Sequence, residues 1–215
     1  MSKSTIIRLA RYKNALNRFH ALGFVKIFSD NIADAVGGTS TQVRKDFSMF
    51  GISGNKRGGY RVDELLDKLN SIFGKDKKQK VIVIGTGNIG TALINYKGYE
   101  SENIQIIAAF DIDIAKCRET GPVPIYPIDR LKDYIKENDI KLAVLAVPDI
   151  AAQHVADIMI SAGIKGILNF APIRLRADGD IVINNVNLAL ELEKIIYFVK
   201  VADKTGDMDN ADTDS

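Results

Sequence analysis

The chain of 215 residues is 46% hydrophobic and 26% charged, which suits one large or two small globular cores. It contains no apolar run long enough to cross a membrane. Its single cysteine, Cys117, and two histidines, His20 and His154, exclude an internal disulfide and leave a metal centre unexpected.

The net charge of +2 conceals a split. Residues 1–80 carry 16 Lys and Arg against 7 Asp and Glu, and the remainder carries 13 against 20. A basic first third suits a polyanion such as duplex DNA; the acidic remainder does not. The opening MSKSTIIRLARYKNALNRFH lacks the apolar stretch and cleavage site of a secretory signal, so a cytoplasmic location is expected. Ile6, Leu9, Ala10, Leu16, Phe19 and Leu22 recur at helical spacing and predict a helix over 4–21. Ser29 stands where a cap would start a short helix that the glycines at 37 and 38 stop, and Thr39 or Ser40 caps the next. Two short helices joined through glycine read as a helix-turn-helix. GISGNKRGGY then reads as a basic, glycine-rich hairpin, and a helix over 62–73 turns Leu65, Leu66, Leu69 and Phe73 inward. The sum is an α+β winged-helix DNA-binding domain over residues 1–78.

GKDKKQK, free of apolar residues, marks the boundary, and VIVIG opens a fully buried strand of the parallel-sheet kind. Strands near 104–110, 123–126, 142–147, 165–170 and 181–186 alternate with helices from Asn88 and over 128–137 and 150–161. This pattern predicts an α/β Rossmann domain over 79–187. The last helix, placed at 188–203, is apolar on nearly all sides. Leu188, Leu192, Ile195, Ile196 and Val199 share one face, and Leu190, Tyr197, Phe198 and Val201 lie elsewhere. One apolar stripe suffices for a surface helix, so the second face is expected to bury against another domain or subunit. The aspartate-rich tail, 204–215, is expected to be disordered.

Gly85-Thr86-Gly87-Asn88-Ile89-Gly90 fits G-x-G-x-x-G between a strand and a helix. Gly85 permits the tight turn, Gly87 admits a pyrophosphate, Gly90 lets the helix close on the sheet, and the helix start supplies N–H groups. The bland alternative is a turn that binds nothing. Asp111 ends the next strand, where a carboxylate meets a ribose 2′-hydroxyl and repels a 2′-phosphate, so NADH and NAD+ are expected. Asp113 reads as a capping or solvent residue. Pro148 and Phe170, at later strand ends, either form a shelf for the nicotinamide or are plain turn residues. The strand ends show no poised acid or base, and His154 reads as packed or capping, so no catalytic residue is assigned. In the basic half, Ser40, Thr41, Gln42, Arg44 and Lys45 occupy the part of the second helix that enters a major groove. Gln42 can take adenine and Arg44 or Lys45 guanine, the other holding phosphate; Asn55, Lys56 and Arg57 suit the backbone or a minor groove. Asp46 reads as holding one of the cations.

RLARY, TSTQVRKDFSMFG, GNKRGGY, VIGTGNIGTALINY, AAFDID, AVPDIAAQHVADIMISAGIKGILNFAP and ELEKIIYF, in this order over about residues 5–200, resemble the Rex family of redox-sensing transcriptional repressors. The resemblance implies a homodimer that binds palindromic operator DNA, releases it on binding NADH, and swaps its C-terminal helix between subunits. It also implies that Arg8, Tyr96 and an acidic residue before the last helix couple the nicotinamide site to the DNA-binding domains. Arg8 and Tyr96 are present; Asn187 replaces the acid, and Ala10 a proline of the first-helix segment. An amide accepts from Arg8 without a charge-assisted pair, so the state that this network favours is expected to be weakened. Two rival readings are a small NAD-dependent oxidoreductase and a nucleotide- or CoA-binding interaction module.

Overall fold

The computed structural model describes residues 2–54 and 58–211. The chain divides into two compact units, Met1–Lys77 and Lys78–Ser215, within the charged stretch read as the boundary.

The first unit comprises α1 (Lys3–Ala21), β1 (Lys26–Ile27), α2 (Ser29–Val36), α3 (Ser40–Met49), β2 (Tyr60–Arg61) and α4 (Val62–Ile72). Leu9 and Leu16 of α1, Ile32 of α2, Val43 and Phe47 of α3 and Leu65 and Leu69 of α4 make one buried core. Thr39 caps α3 by accepting the Gln42 N–H at 3.2 Å, as its hydroxyl and position dictate. Ser29 does not cap α2. Phe28 takes that place, its N–H donating to Asn31 Oδ1 at 3.1 Å, which frees the buried Ser29 hydroxyl for another partner. The glycine-rich segment is not a hairpin paired on itself among the described residues. β2 pairs antiparallel with β1, Ile27 opposite Tyr60, because both pack on the core and Tyr60 meets Phe47 edge to face. Gly59, at φ 65, approaches the Ile27 carbonyl so closely that a Cβ would lie 2.5 Å away. Asn55, Lys56 and Arg57 lie outside the described residues.

The second unit comprises β3 (Gln79–Ile84), α5 (Asn88–Ile94), β4 (Ile104–Asp111), β5 (Ile125–Pro127), α6 (Leu131–Glu137), β6 (Leu142–Leu145), α7 (Asp149–Ala162), β7 (Gly166–Asn169), β8 (Val182–Asn185) and α8 (Leu188–Ala211). The six strands from β3 to β8 form a parallel sheet in the order β5-β4-β3-β6-β7-β8. Alternate residues of β3 serve its two faces. Ile82 and Ile84 join Phe110, Leu131 and Met159 on one, and Val81 and Val83 join Ala109, Ile125 and Val144 on the other. Strand order reverses between β3 and β6, and ligands of open α/β sheets bind at such a switch point.

On α8, the nine large apolar side chains from Leu188 to Val201 are all 40% or more exposed, so this part of the helix buries neither face on its own unit. It extends through Ala211, past the end expected at 203 and into the stretch expected to be disordered. Once a helix is nucleated, each further residue adds a bond at little cost. Among the described residues no helix is long and apolar enough to cross a membrane.

Candidate nucleotide site and nucleic-acid interface

A crevice of about 620 Å³ opens at the switch point. Of the residues assigned to the nucleotide from sequence, Gly85, Gly87, Asn88, Ile89, Asp111, Pro148 and Phe170 line it, and so does Asp113, read only as a capping or solvent residue. The glycines divide the work as the motif requires. Gly85, at φ 90, presses against the Ala146 carbonyl, and a Cβ on Gly90 would collide with the Gly85 carbonyl. Gly87 faces open space, with nothing within 4 Å of where a Cβ would stand. The first helical bond of α5 runs from Thr91 N–H to Gly87 O at 2.9 Å. The N–H groups of Asn88, Ile89 and Gly90 therefore precede the helical ladder beside that space. The arrangement fits a dinucleotide's phosphates.

Asp111 is buried at the end of β4. Its Oδ2 accepts from both the Thr86 N–H, at 2.8 Å, and the Thr86 hydroxyl, and its Oδ1 accepts from the Asp113 N–H at 2.9 Å. Burial pushes this carboxyl up. The Thr86 hydroxyl, the two N–H groups and Lys116 Nζ, 3.4 Å away, outweigh that and hold it at about 2. One lone-pair direction of Oδ1 remains for a ribose hydroxyl. Thr86 therefore serves as the anchor of Asp111 and, like Gly90, is not part of the crevice lining. Asp113 caps the turn that follows, accepting the Ala115 N–H at 3.0 Å.

Lys116 was missed. It lies in a short 3-10 turn after β4, in a stretch that no periodicity marks, yet it lines the crevice beside Asp111. At the other end, Pro148 and Phe170 join Ala146, Val147, Ala151 and Pro172 in an apolar wall. Fully buried Asn169 fixes that wall. Its Nδ2 donates to Ile173 O at 2.8 Å and Asn185 Oδ1 at 2.9 Å, while its Oδ1 accepts the Ala171 N–H at 3.0 Å. His154 is exposed on α7, outside the crevice lining; it is neither packed nor a cap.

The three residues of the implied coupling network each have a partner in their own unit. Tyr96 is not in the crevice lining; it follows α5, 60% exposed, its ring edge-to-face with Tyr99 at 5.0 Å. Asn187 caps α8, its Oδ1 accepting the Leu190 N–H at 3.1 Å. Arg8 grips Asp46 through Nε and Nη2, both at 2.7 Å.

On the DNA-binding side, Ser40, Thr41, Gln42, Arg44 and Lys45 all lie on α3. Thr41 and Lys45 face outward. Arg44 is partly committed, donating to Ser29 Oγ at 3.0 Å and Thr41 Oγ1 at 3.3 Å. Gln42 is half-buried, and its Nε2 donates to Asp46 Oδ1 at 2.8 Å. Asp46, 1% exposed, also accepts from the Tyr12 hydroxyl at 3.0 Å. The Arg8 guanidinium, opposing the cost of burial with help from Tyr12 and Gln42, holds its carboxyl below the usual range. Among the described residues, no group of three His, Cys, Asp or Glu is placed to hold a metal.

A helix-turn-helix unit followed by a parallel sheet with a glycine-lined switch-point crevice defines a DNA-binding domain joined to a Rossmann-like nucleotide-binding domain. Residues 1–48 match the family model "Putative DNA-binding protein N-terminus", and residues 76–173 match "CoA binding domain". The redox-sensing transcriptional repressor Rex of Bacillus pumilus is 41% identical over 200 residues, covering 92% of each chain. That of Streptococcus agalactiae is 40% identical over 201 residues, covering 92% of this chain and 95% of the other. The crystal structure of RSP in complex with β-NAD+ and operator DNA superposes with a TM-score of 0.90 at 32% identity, covering 98% of this chain and 97% of that one. The chain belongs to the Rex family of redox-sensing transcriptional repressors.

Proposed function

We propose that this protein is a homodimeric cytoplasmic repressor that holds palindromic operator DNA and releases it when NADH occupies the crevice, so that its occupancy of DNA follows the NADH/NAD+ ratio. The observation that carries the reading is one chain joining a recognition helix to a crevice with an open phosphate cradle at Gly87 and a buried carboxylate at Asp111. RSP, similar over nearly its whole length, has been crystallised with β-NAD+ and operator DNA and with β-NADH.

Asp111 accepts the adenosine ribose, Gly87 gives the pyrophosphate room, and Pro148 and Phe170 receive the nicotinamide. The cofactor supplies the signal: its ring is positively charged when oxidised and neutral when reduced. The apolar wall at the Pro148–Phe170 end suits sensing, in keeping with relatives named as transcriptional repressors, and no catalytic role is assigned to the crevice. The exposed apolar faces of α8 support dimerisation through that helix, exchanged between subunits. A dimer presents two copies of α3, and a palindrome requires them one helical turn apart or a multiple of it. NADH releases DNA by favouring a state with another spacing, and it shifts the balance only by its differential affinity for the two states. The DNA contacts are assigned to Ser40, Thr41, Gln42, Arg44 and Lys45 together with Lys56 and Arg57, which lie outside the described residues, and the coupling of the two sites to Arg8, Tyr96 and Asn187. Since the Asn187 carbonyl already caps α8, an aspartate there would cap with one oxygen and leave the other charged for an arginine.

Fluorescence anisotropy on a labelled palindromic duplex at fixed salt, titrated separately with NADH, NAD+ and coenzyme A, tests the reading. DNA binding lost to NADH and spared by NAD+ and coenzyme A is expected. Binding indifferent to all three would sink the redox switch, and release by coenzyme A would reassign the crevice. Asn187→Asp is expected to widen the NADH/NAD+ difference.

A further inference from the structure

Four hydrogen bonds converge on the buried Asp46 carboxylate: Arg8 Nε and the Tyr12 hydroxyl on Oδ2, Arg8 Nη2 and Gln42 Nε2 on Oδ1. An ionised carboxylate only accepts. The Gln42 atom facing it must therefore be the amino nitrogen, the donor end of the amide. With its nitrogen drawn inward, Gln42 turns its carbonyl Oε1 away from Asp46. Gln42 is the third residue of α3, in the N-terminal half of a recognition helix that reaches base edges.

We propose that Asp46, which touches no base, imposes an amino-group preference on the base that Gln42 meets. Oε1 accepts from the exocyclic amine of adenine or cytosine and is repelled by the keto oxygen of guanine or thymine. The amide's second N–H remains available, and adenine N7 can take it where cytosine offers no such acceptor. Asp46 is thus a positioning residue for specificity, and Arg8 and Tyr12 hold it in place. The inference rests on the DNA-binding reading above.

The test starts from a duplex that the full-length protein selects from a randomised pool in the presence of NAD+. In each half-site, adenines are replaced one at a time by purine and cytosines by 2-pyrimidinone, both lacking the amine. Affinity is read by anisotropy competition. One position per half-site is expected to lose about fivefold when its amine is removed, the worth of one ordinary hydrogen bond, and to lose nothing in Gln42→Ala. A further loss with 7-deazaadenine at that position identifies adenine, and no such position other than a cytosine identifies cytosine. In Asp46→Asn the amide is free to turn over, so a keto base becomes tolerated there, while Tyr12→Phe keeps the preference. A purely structural role for Asp46 predicts a uniform loss across all sequences, and that result would overturn the proposal. So would a Gln42-dependent preference for a keto base, which needs only wild type and Gln42→Ala and stands even if Asp46→Asn does not fold. Failure to select any duplex would instead remove the DNA-binding reading itself.

Discussion

At the scale of single residues, the glycines of the phosphate loop separate folding from binding. Gly87→Ala meets nothing within 4 Å and leaves φ near −70°, so thermal melting without ligand should be unchanged. The added methyl stands where the pyrophosphate must approach, so NADH fluorescence titration should show binding lost. Gly90→Ala collides with the Gly85 carbonyl and should cost about 1–3 kcal/mol of stability by urea titration. Equal melting losses for the two variants would refute this division. Asp111 makes a pH-dependent prediction. Its carboxyl is lowered from 3.8 to about 2, and a group depressed on folding adds stability that is complete above its unfolded value and lost as pH falls through the folded one. The shift corresponds to about 2 kcal/mol. Wild type and Asp111→Asn should differ by about that much at neutral pH and converge between pH 3.8 and about 2. A gap that persists in acid would show that the lost contacts are not those of the charge. Asp111 was legible because a strand end fixes where it points. Thr86, an unspecified position of the phosphate-loop motif, anchors that carboxylate, and the motif spacing says nothing of a threonine's rotamer. Lys116 was not legible for a related reason: short 3-10 turns carry no periodicity.

At the scale of elements, α1 and α3 are joined by the Arg8–Asp46 fork more specifically than by apolar packing alone. Removing Arg8 leaves a carboxylate 1% exposed with only Tyr12 and Gln42, so Arg8→Ala should lower the urea midpoint of unfolding. Arg8→Lys should recover only part, because an ammonium cannot fork onto two oxygens. If Arg8→Ala melts like wild type, the fork is not holding the recognition helix. The helices themselves were readable from hydrophobic spacing and capping residues, Thr39 above all. The pairing of β2 with β1 was not, because a two-residue strand carries no alternation and its partner lies a whole helix-turn-helix away in sequence. The start of α2 slipped by one residue for a local reason: Asn31 reaches back to the chain before the helix, a contact that Ser29 alone could not announce.

At the scale of the whole molecule, the alternation of apolar strands with helices announced the parallel α/β sheet, whereas the order of its strands was not read from the sequence, because alternation fixes the class of sheet and not which strands are neighbours. The last helix was visible too, as an element with more apolar surface than one domain can cover. Its apolar side chains from Leu188 to Val201 are exposed in the single chain, so Phe198→Asp should leave the secondary structure of that chain unchanged by circular dichroism. With the dimerisation through α8 proposed above, the same variant should sediment closer to the mass of a single chain than wild type does. A stable Phe198→Asp dimer would place the interface elsewhere.

That helix also ties stability to supply. If α8 is dry only against a second copy, the melting temperature rises with protein concentration by mass action, and dilution alone loosens the fold. A cell holding few molecules of this protein would keep part of them as single chains with a greasy helix in water, a form open to proteases. Expression level then becomes an input beside the nucleotide pool: below some abundance the protein stops answering to NADH because too little of it is paired to answer at all.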